Sequence, residues 1–523
     1  MKTKLIGLLV CMLMIATAVP AVTARNSPMY AMAPSHAQAS TSGGWVQGQK
    51  LVASDGKAGA NFGDCTSISG DTALICAEQD FGGHATWAGA AYIFTRTGTT
   101  WTQQQKLNAS DGAFNDYFGW VGALDGNTAL ITAIWDDDNG VDSGSAYVFV
   151  RTGTTWTQQA KLTASDGAAG DHFGYSCALN GDTAMIGANW DDDCGDGSGS
   201  LYVFTRTGTT WTEQQKMHSS DEQAGDRFSG SIALVNDTAL IGAYWDDDNG
   251  VDAGSAFVFT RTGTTWSQQQ KLLASDGAAG DSFGSSVSVY GDTAFFGAYG
   301  DNDNGNLSGS AYVFTRSGTT WTQQQKLLAS DGAAGDQFSG GSISVWGDTV
   351  LIGAMLDDDN GKDSGSAYIF TRMGTTWAQQ QKLLPSDGAA NDQFGIVILS
   401  GDTAFISSWY DDDMGSNSGS VYVFTKVGTT FIITGGLGVH LKITNNGTTA
   451  ANGVPYWLHV QGGILGKINK TVNGTIDIPA GGTKTVGTGM LFGFGSLAIA
   501  ATVAGEDKTA TGMQIIVYSM VKK

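Results

Sequence analysis

Cysteine is scarce in this chain, 5 residues in 523, and so is histidine, 6 residues that stand singly along the sequence. The scarcity of the first excludes a disulfide-stapled scaffold. That of the second, with no His-x-x-x-His pair, no Cys/His cluster at metal spacing and no Ser-His-Asp order, leaves no visible hydrolytic or structural-zinc pattern. Basic residues are few as well: 27 Lys and Arg against 49 Asp and Glu give a formal charge of −22. That balance argues against nucleic acid and anionic membranes as partners and favours solubility or cation binding. Charged residues total only 15 %, while hydrophobic residues reach 41 % and glycine occupies 75 positions. Such a composition is turn-rich, too apolar for disorder and suited to an all-β fold.

Long hydrophobic runs are missing too. The N-terminus "MKTKLIGLLVCMLMIATAVPAVTARN" joins two lysines to an apolar run from Leu5 to Val19, too short for a comfortable membrane span, with Val22 and Ala24 at the positions of a cleavage site. Residues 1–24 read as a signal peptide and 25–44 as a linker, which implies a secreted or cell-surface protein with no transmembrane segment in the mature chain. Four cysteines then remain: Cys65, Cys76, Cys177 and Cys194. Cys65 and Cys76 flank the turn "ISGD" and fall opposite each other if Gly70 and Asp71 are its central residues. A cross-strand disulfide and two free buried thiols are both open there.

What the chain has in abundance is repetition. Trp45, Trp101, Trp156, Trp211, Trp266, Trp321 and Trp377 recur every 55 or 56 residues, with Phe431 in an eighth equivalent place. The unit from Trp156 to Thr210 holds four strand candidates. "FGYSCAL" (A) and "TAMIGA" (B) are joined by the tight turn "NGD"; "LYVFTR" (C) and "WTEQQKM" (D) are joined by "TGTT". B and C are apolar nearly throughout and should be buried on both faces, whereas D, with its glutamines, should be half exposed. Four antiparallel strands repeated seven times over residues 45–430 predict a seven-bladed β-propeller. A solenoid needs atypical capping repeats, yet this chain starts with a well-formed D-type strand, "WVQGQKL", at residues 45–51. That surplus strand is expected to close the ring by pairing with "VYVFTK" of blade 7.

After residue 430 the period is lost. "HLKITNNGTTAANGVPYWLHV" and "TVNGTIDIPAGGTKTV" alternate with turn residues, and residues 431–523 read as a separate β-sandwich, with "MLFGFGSLAIAATVA" as two buried strands rather than a membrane helix.

"FGYS", "GDTAMIGA" and "GSLYVF" resemble the FG-GAP repeat that builds the seven-bladed propeller of integrin alpha chains, most of all its bacterial and archaeal secreted variant; the tail is similar to immunoglobulin-like adhesion-type modules. The resemblance implies an extracellular binding protein. Its calcium loop between strands A and B does not carry over, because connections such as "LNGDT" are too short to wrap a cation that takes six to eight oxygens. Asp71, Asp182, Asp237, Asp292, Asp348 and Asp402 read as turn residues.

A different set of loops remains open to calcium. In a four-stranded meander the B-to-C and D-to-A loops share one face. Blades 2 to 7 place an acid cluster such as "WDDDNGVDSGS" beside "ASDGAAGD". The candidate ligands are Asp136, Asp138, Asp142, Asp191, Asp193, Asp246, Asp248, Asp252, Asp301, Asp303, Asp357, Asp359, Asp363, Asp411 and Asp413. Their spacing departs from an EF-hand, and a solvated acidic turn is the competing reading. On the same face Phe81, His84, Trp87, Phe114, Tyr117, Trp135, Trp190 and Trp245, with Arg227, form a candidate ligand-binding patch for a protein or a glycan; blade packing is the alternative. No catalytic constellation is legible, so a non-catalytic recognition or adhesion protein is expected. A propeller glycan hydrolase or lyase and a structural surface-layer or matrix component are the competing classes.

Overall fold

The structure, a computed structural model, describes residues 44–80 and 86–426 and, beyond them, 429–436, 438–445, 451–462, 468–479, 482–488, 494–503, 506–515 and 518–522. Residues 1–43, which hold the expected signal peptide and nearly all of the linker, lie outside the described residues. Every regular element among those described is a β-strand.

Seven four-stranded antiparallel sheets follow one another with the predicted A-B-C-D order. Blade 2 is representative: A is Phe118–Asp125, B Thr128–Ala133, C Ser145–Thr152 and D Thr155–Leu162. Both hairpins turn in two residues, with glycine first except at Asn236 (φ 52°) in the A-to-B turn of blade 4. In blade 1, Ser69 pairs with Thr72 around Gly70 (φ 60°), and Thr97 with Thr100 around Gly98 (φ 64°). A glycine in that first position suits a II′ turn, whose twist matches the strands it joins. Strand B is buried at all six positions in every blade, as its apolar run demands.

The ring closes as the strand count required. Trp45–Leu51 pairs antiparallel with Ser420–Lys426 of blade 7, from Trp45 opposite Lys426 to Leu51 opposite Val421. The innermost strands touch in succession, and Phe394–Ser400 returns to Thr66–Ser69 of blade 1. The core lies between blades. Phe295 of blade 5 meets Trp377 of blade 6 edge-on at a centroid distance of 4.9 Å, and within blade 2 the fully buried Phe118 meets Tyr147 and Phe149 at 5.4 and 6.0 Å. Gly144 (φ 82°) lets the next blade approach, since a Cβ there would stand 2.1 Å from the carbonyl oxygen of Phe173.

The polar residues of strand D do more than face water. Gln105 accepts from the backbone N–H of Trp156 in the next blade at 2.8 Å and donates to its carbonyl at 2.8 Å, so one side chain replaces a missing ladder pair. The same reciprocal clasp joins Gln215 to Trp266, Gln270 to Trp321, Gln325 to Trp377, and Gln381 to Trp45 across the closure. On the opposite rim Arg151 spans Asn127 of its own blade and Thr72 of the preceding one. The regularly spaced arginines are thus structural braces.

Past residue 426 eight strands hydrogen-bond in the order Ile468–Ile478, Ala451–Gly462, Phe494–Val503, Glu506–Ile515, Tyr518–Lys522, Thr429–Gly436, Gly438–Asn445, Thr483–Gly487. Among the described residues one ladder pair, Gly436 with Ser519, links the first five to the last three. Phe431 belongs to this sheet and to no blade. Residues Phe494–Val503 form one strand, and the first four residues of "MLFGFGSLAIAATVA" lie outside the described residues.

Candidate functional site

The acid loops are organised around a residue the sequence reading passed over, the lysine of strand D. In blade 2 the Lys161 ammonium lies 2.8 Å from Asp136 Oδ2 of the B-to-C loop and 2.9 Å from Asp111 Oδ2 of the loop entering the blade, with Asp138 as a third acceptor. Tyr147 donates its hydroxyl to Asp136 at 2.8 Å. Lys50, Lys106, Lys216, Lys271, Lys326 and Lys382 repeat this in the other six blades, each 2.6–2.9 Å from a buried aspartate. In blade 1, among the described residues, Asp55 and Asp80 pair with Lys106. In Lys216 burial works against the charge, but Asp193, Asp166 and Asp191 outweigh it and hold the ammonium protonated far above neutral pH. Burial likewise opposes ionisation of Asp166 and Asp191, and the hydrogen bonds from Lys216 and Tyr202 still hold both carboxyls below the usual carboxylate range.

The donor set does not fit a resident calcium ion. Asp136, Asp138, Asp191, Asp193, Asp246, Asp248, Asp301, Asp303, Asp357, Asp359, Asp411 and Asp413 converge in pairs on a lysine ammonium, whose charge repels a second cation. Asp142, Asp252 and Asp363 take left-handed backbone conformations (φ 57°, 54° and 52°) and close the turn by donating their N–H to Asp137, Asp247 and Asp358 at 2.8 Å. The acidic turns and the ammonium form one latch that ties strand D to the B-to-C loop of its own blade and to the loop entering that blade.

The aromatic patch does assemble. Trp87 and Phe114, 40 % and 63 % exposed, hold their rings 6.0 Å apart. Tyr117 meets Trp135 at 6.1 Å, Trp135 meets His172 at 5.1 Å, and His172 meets Trp190 at 5.8 Å. Trp190, 39 % exposed, lies against the Arg227 guanidinium, whose other neighbour is Trp245 at 5.1 Å. These residues follow one another through the loops of blades 2 to 4, with Trp87 and Phe114 between blades 1 and 2. Arg227 departs from its expected role as a contact: it is only 6 % exposed, wedged between two indoles, and serves to position them. His172 was missed, although it stands one repeat from both Tyr117 and Arg227. Burial among the rings lowers its pKa, so it is neutral at neutral pH. Phe81 and His84 lie outside the described residues.

The Cys65–Cys76 alternatives resolve into thiols. The two residues are opposite each other, as Thr66 paired with Ile75 requires, but the sulfurs stand 3.2 Å apart with Cys76 donating to Cys65, well beyond the roughly 2.05 Å of a bond. Blade 1 also brings two carboxyls together that no motif announced. Asp64 touches Glu78, and burial, then the partner's charge, raises Asp64 well above the carboxylate range; burial raises Glu78 as well.

Seven sheets closed by their own first strand, latched by ion pairs and carrying a row of half-exposed rings on one loop face, define a β-propeller of the repeat-built kind. The family model described as FG-GAP repeat matches residues 45–94, 101–149, 156–204, 211–259, 266–314, 321–370 and 377–424, and the chain belongs to that family. No curated protein matches it. Among solved structures, the crystal structure of Saccharomyces cerevisiae Sqt1 is similar with a TM-score of 0.41 at 10 % identity, over 77 % of this chain and 96 % of that one. A likeness at that level adds nothing to the fold already described.

Proposed function

We propose that this is a secreted or cell-surface recognition protein that binds an extracellular protein or glycan through the aromatic row of blades 1 to 4, without catalysis and without calcium in its acid loops. The observation that carries the reading is the touching pair Trp87 and Phe114, with Trp190 further along the same row of loops, large rings left open to solvent on a propeller whose seven repeat tryptophans are core. Flat, rigid aromatic surfaces flanked by polar loops suit sugar faces and protein hot spots alike. Arg227 supports it by fixing Trp190 and Trp245 without hydrogen bonds at Nε or Nη1. The C-terminal strands are assigned to an immunoglobulin-like adhesion module on the alternating pattern of "HLKITNNGTTAANGVPYWLHV" and "TVNGTIDIPAGGTKTV". Binding of the purified chain to panels of glycans and extracellular proteins tests the proposal. A ligand lost on Trp87→Ala or Trp190→Ala, with an unchanged melting temperature, supports it, and a ligand indifferent to both substitutions overturns the assigned surface.

One observation favours a hydrolase as a second reading, the Asp64–Glu78 pair with its raised pKa values. The geometry weakens it. Glycosidase carboxyls stand roughly 5 Å or more apart to admit the scissile bond and water, whereas these two share a hydrogen bond. Turnover of a glycan abolished by Asp64→Asn would establish the second reading instead.

A further inference from the structure

The repeat supplies its own reference for every position, and blade 3 departs from it at three touching places. In the B-to-C loops of blades 2, 4, 5 and 6 the residue after the third acid position is asparagine: Asn139, Asn249, Asn304 and Asn360. Asn139, Asn249 and Asn304 donate to Ala164, Ala274 and Ala329 of the loop leaving the blade, at 3.1–3.2 Å. The amide also packs on a glycine of that loop: a Cβ on Gly167, Gly277, Gly332 or Gly388 would lie 3.1–3.5 Å from the asparagine Nδ2. Blade 3 replaces the asparagine by Cys194, the glycine by Glu222, and the residue after the strand-D leucine or methionine, Thr163 or Leu273 elsewhere, by His218.

The three replacements meet. His218 Nδ1 is 3.3 Å from Glu222 Oε1, and one ligand-type atom from each of Cys194, His218 and Glu222 lies within 4.8 Å of the other two. Tetrahedral ligands around an ion at about 2.0–2.3 Å are themselves roughly 3.5 Å apart, so small rotations of the exposed Cys194 side chain complete the set. Ser200 Oγ, 3.2 Å from His218 Nδ1 and 3.0 Å from Asp191 Oδ1, is free to release the imidazole and keep its carboxylate. The Lys216 latch beside it holds Asp166, Asp191 and Asp193 around one ammonium, a local negative surplus that Glu222 increases.

We propose that Cys194, His218 and Glu222 form a three-ligand site for a borderline-soft divalent ion of the Zn2+ class. Thiolate, imidazole and carboxylate together select zinc or cobalt over calcium or magnesium, which take oxygen alone. The ion ties the blade 3 loop to the blade 3–4 connection, where the other blades use an asparagine amide. Its fourth position opens to solvent on the side of Cys194.

The test uses the full chain, stripped with EDTA and titrated with Co2+. One equivalent should produce a thiolate-to-cobalt charge-transfer band in the near ultraviolet, and Zn2+ should bleach it. Cys194→Asn and Glu222→Gly install the residues that other blades carry, so both should keep the melting temperature of the stripped protein. Each should weaken binding by more than the roughly tenfold expected from losing a ligand's hydrogen-bond partner. Absence of the band in the parent chain, or its persistence in Cys194→Asn, overturns the proposal.

Discussion

Lys161 and Asp136 are 25 residues apart in sequence, and the ammonium of one lies 2.8 Å from the carboxylate of the other, which is buried and also accepts from Tyr147. Replacing Lys161 by Met removes the paired cation and leaves Asp136 buried without its counter-charge. A broken buried pair costs about 3–5 kcal/mol, and thermal unfolding should show a loss of that order. Lys161→Met/Asp136→Asn should recover most of it. Calcium distinguishes the latch from a metal loop: millimolar Ca2+ should not raise the melting temperature of the parent chain, whereas Lys161→Met opens the oxygen set and should gain a calcium-dependent rise. A rise in the parent chain would show that the ion displaces the lysine.

Ala160 marks the one place where the glutamine clasp between blades fails. It occupies the position of Gln105 and Gln215, so the backbone of Trp211 lacks the reciprocal pair its equivalents have. Trp211 is correspondingly 8 % exposed against 2 % for Trp156 and Trp266, and its indole turns to Gln159 at 3.1 Å. Ala160→Gln should restore both bonds and stabilise the ring by about 1 kcal/mol each at most, the usual net value of a hydrogen bond. Chemical denaturation of the two proteins measures this. A lower midpoint in the variant would mean that the site cannot seat the longer side chain.

Acidity should act through the aspartates that cap the loops entering each blade. Asp116 accepts from the Ala113 N–H at 2.6 Å and faces Asp136, Asp137 and Lys161; burial first, then Asp136, raises its pKa to about 6, and burial does the same for Asp226. A folded pKa above the unfolded value of about 3.9 means stability fully present below pH ~4 and lost as pH rises through 6. Latch carboxyls such as Asp166 are depressed, so their contribution is present above pH ~4 and is lost only on further acidification. Between pH 4 and 7 the first group therefore sets the slope, and stability should decline. Melting temperatures across that range should fall less steeply in Asp116→Asn/Asp226→Asn than in the parent chain, and equal slopes would refute the assignment.

Legibility in the sequence followed the distance over which each interaction acts. The hairpin at Gly70 and Asp71 is written in two adjacent residues, and the buried B strands in six, so both could be read directly. Ring closure was legible because the surplus strand at Trp45 has no other partner in a counted set. The latch was not, since Asp111, Asp136 and Lys161 converge only once strands B, C and D have returned past one another. The signal that could have exposed it was a lysine kept in every repeat at the same step of strand D. The converse signal, three departures from the repeat at Cys194, His218 and Glu222, was equally present, but nothing in sequence places their positions side by side. Trp87 and Phe114 were found because they break the period on a face already known to carry loops.

The closing strand supplies the sharpest test of the ring itself. Trp45, 4 % exposed, packs with Phe424 and Leu383, and Lys50 latches Asp411, Asp413 and Asp387 of blade 7. Removing residues 45–51 deletes the buried indole, the ion pairs, the Gln381 clasp and every ladder bond to Ser420–Lys426 at once. Loss of a buried tryptophan alone costs about 3–5 kcal/mol, and the bared strand becomes an edge open to pairing with a second molecule. The truncated chain should therefore unfold at a markedly lower temperature and self-associate in size-exclusion chromatography. Adding a peptide of residues 45–51 should reverse both effects, because the open edge accepts the same residues in the same register whether or not they are covalently attached. A truncated chain that stays monomeric with an unchanged melting temperature would mean that blade 7 is stable with three strands and that the ring does not depend on its N-terminal strand.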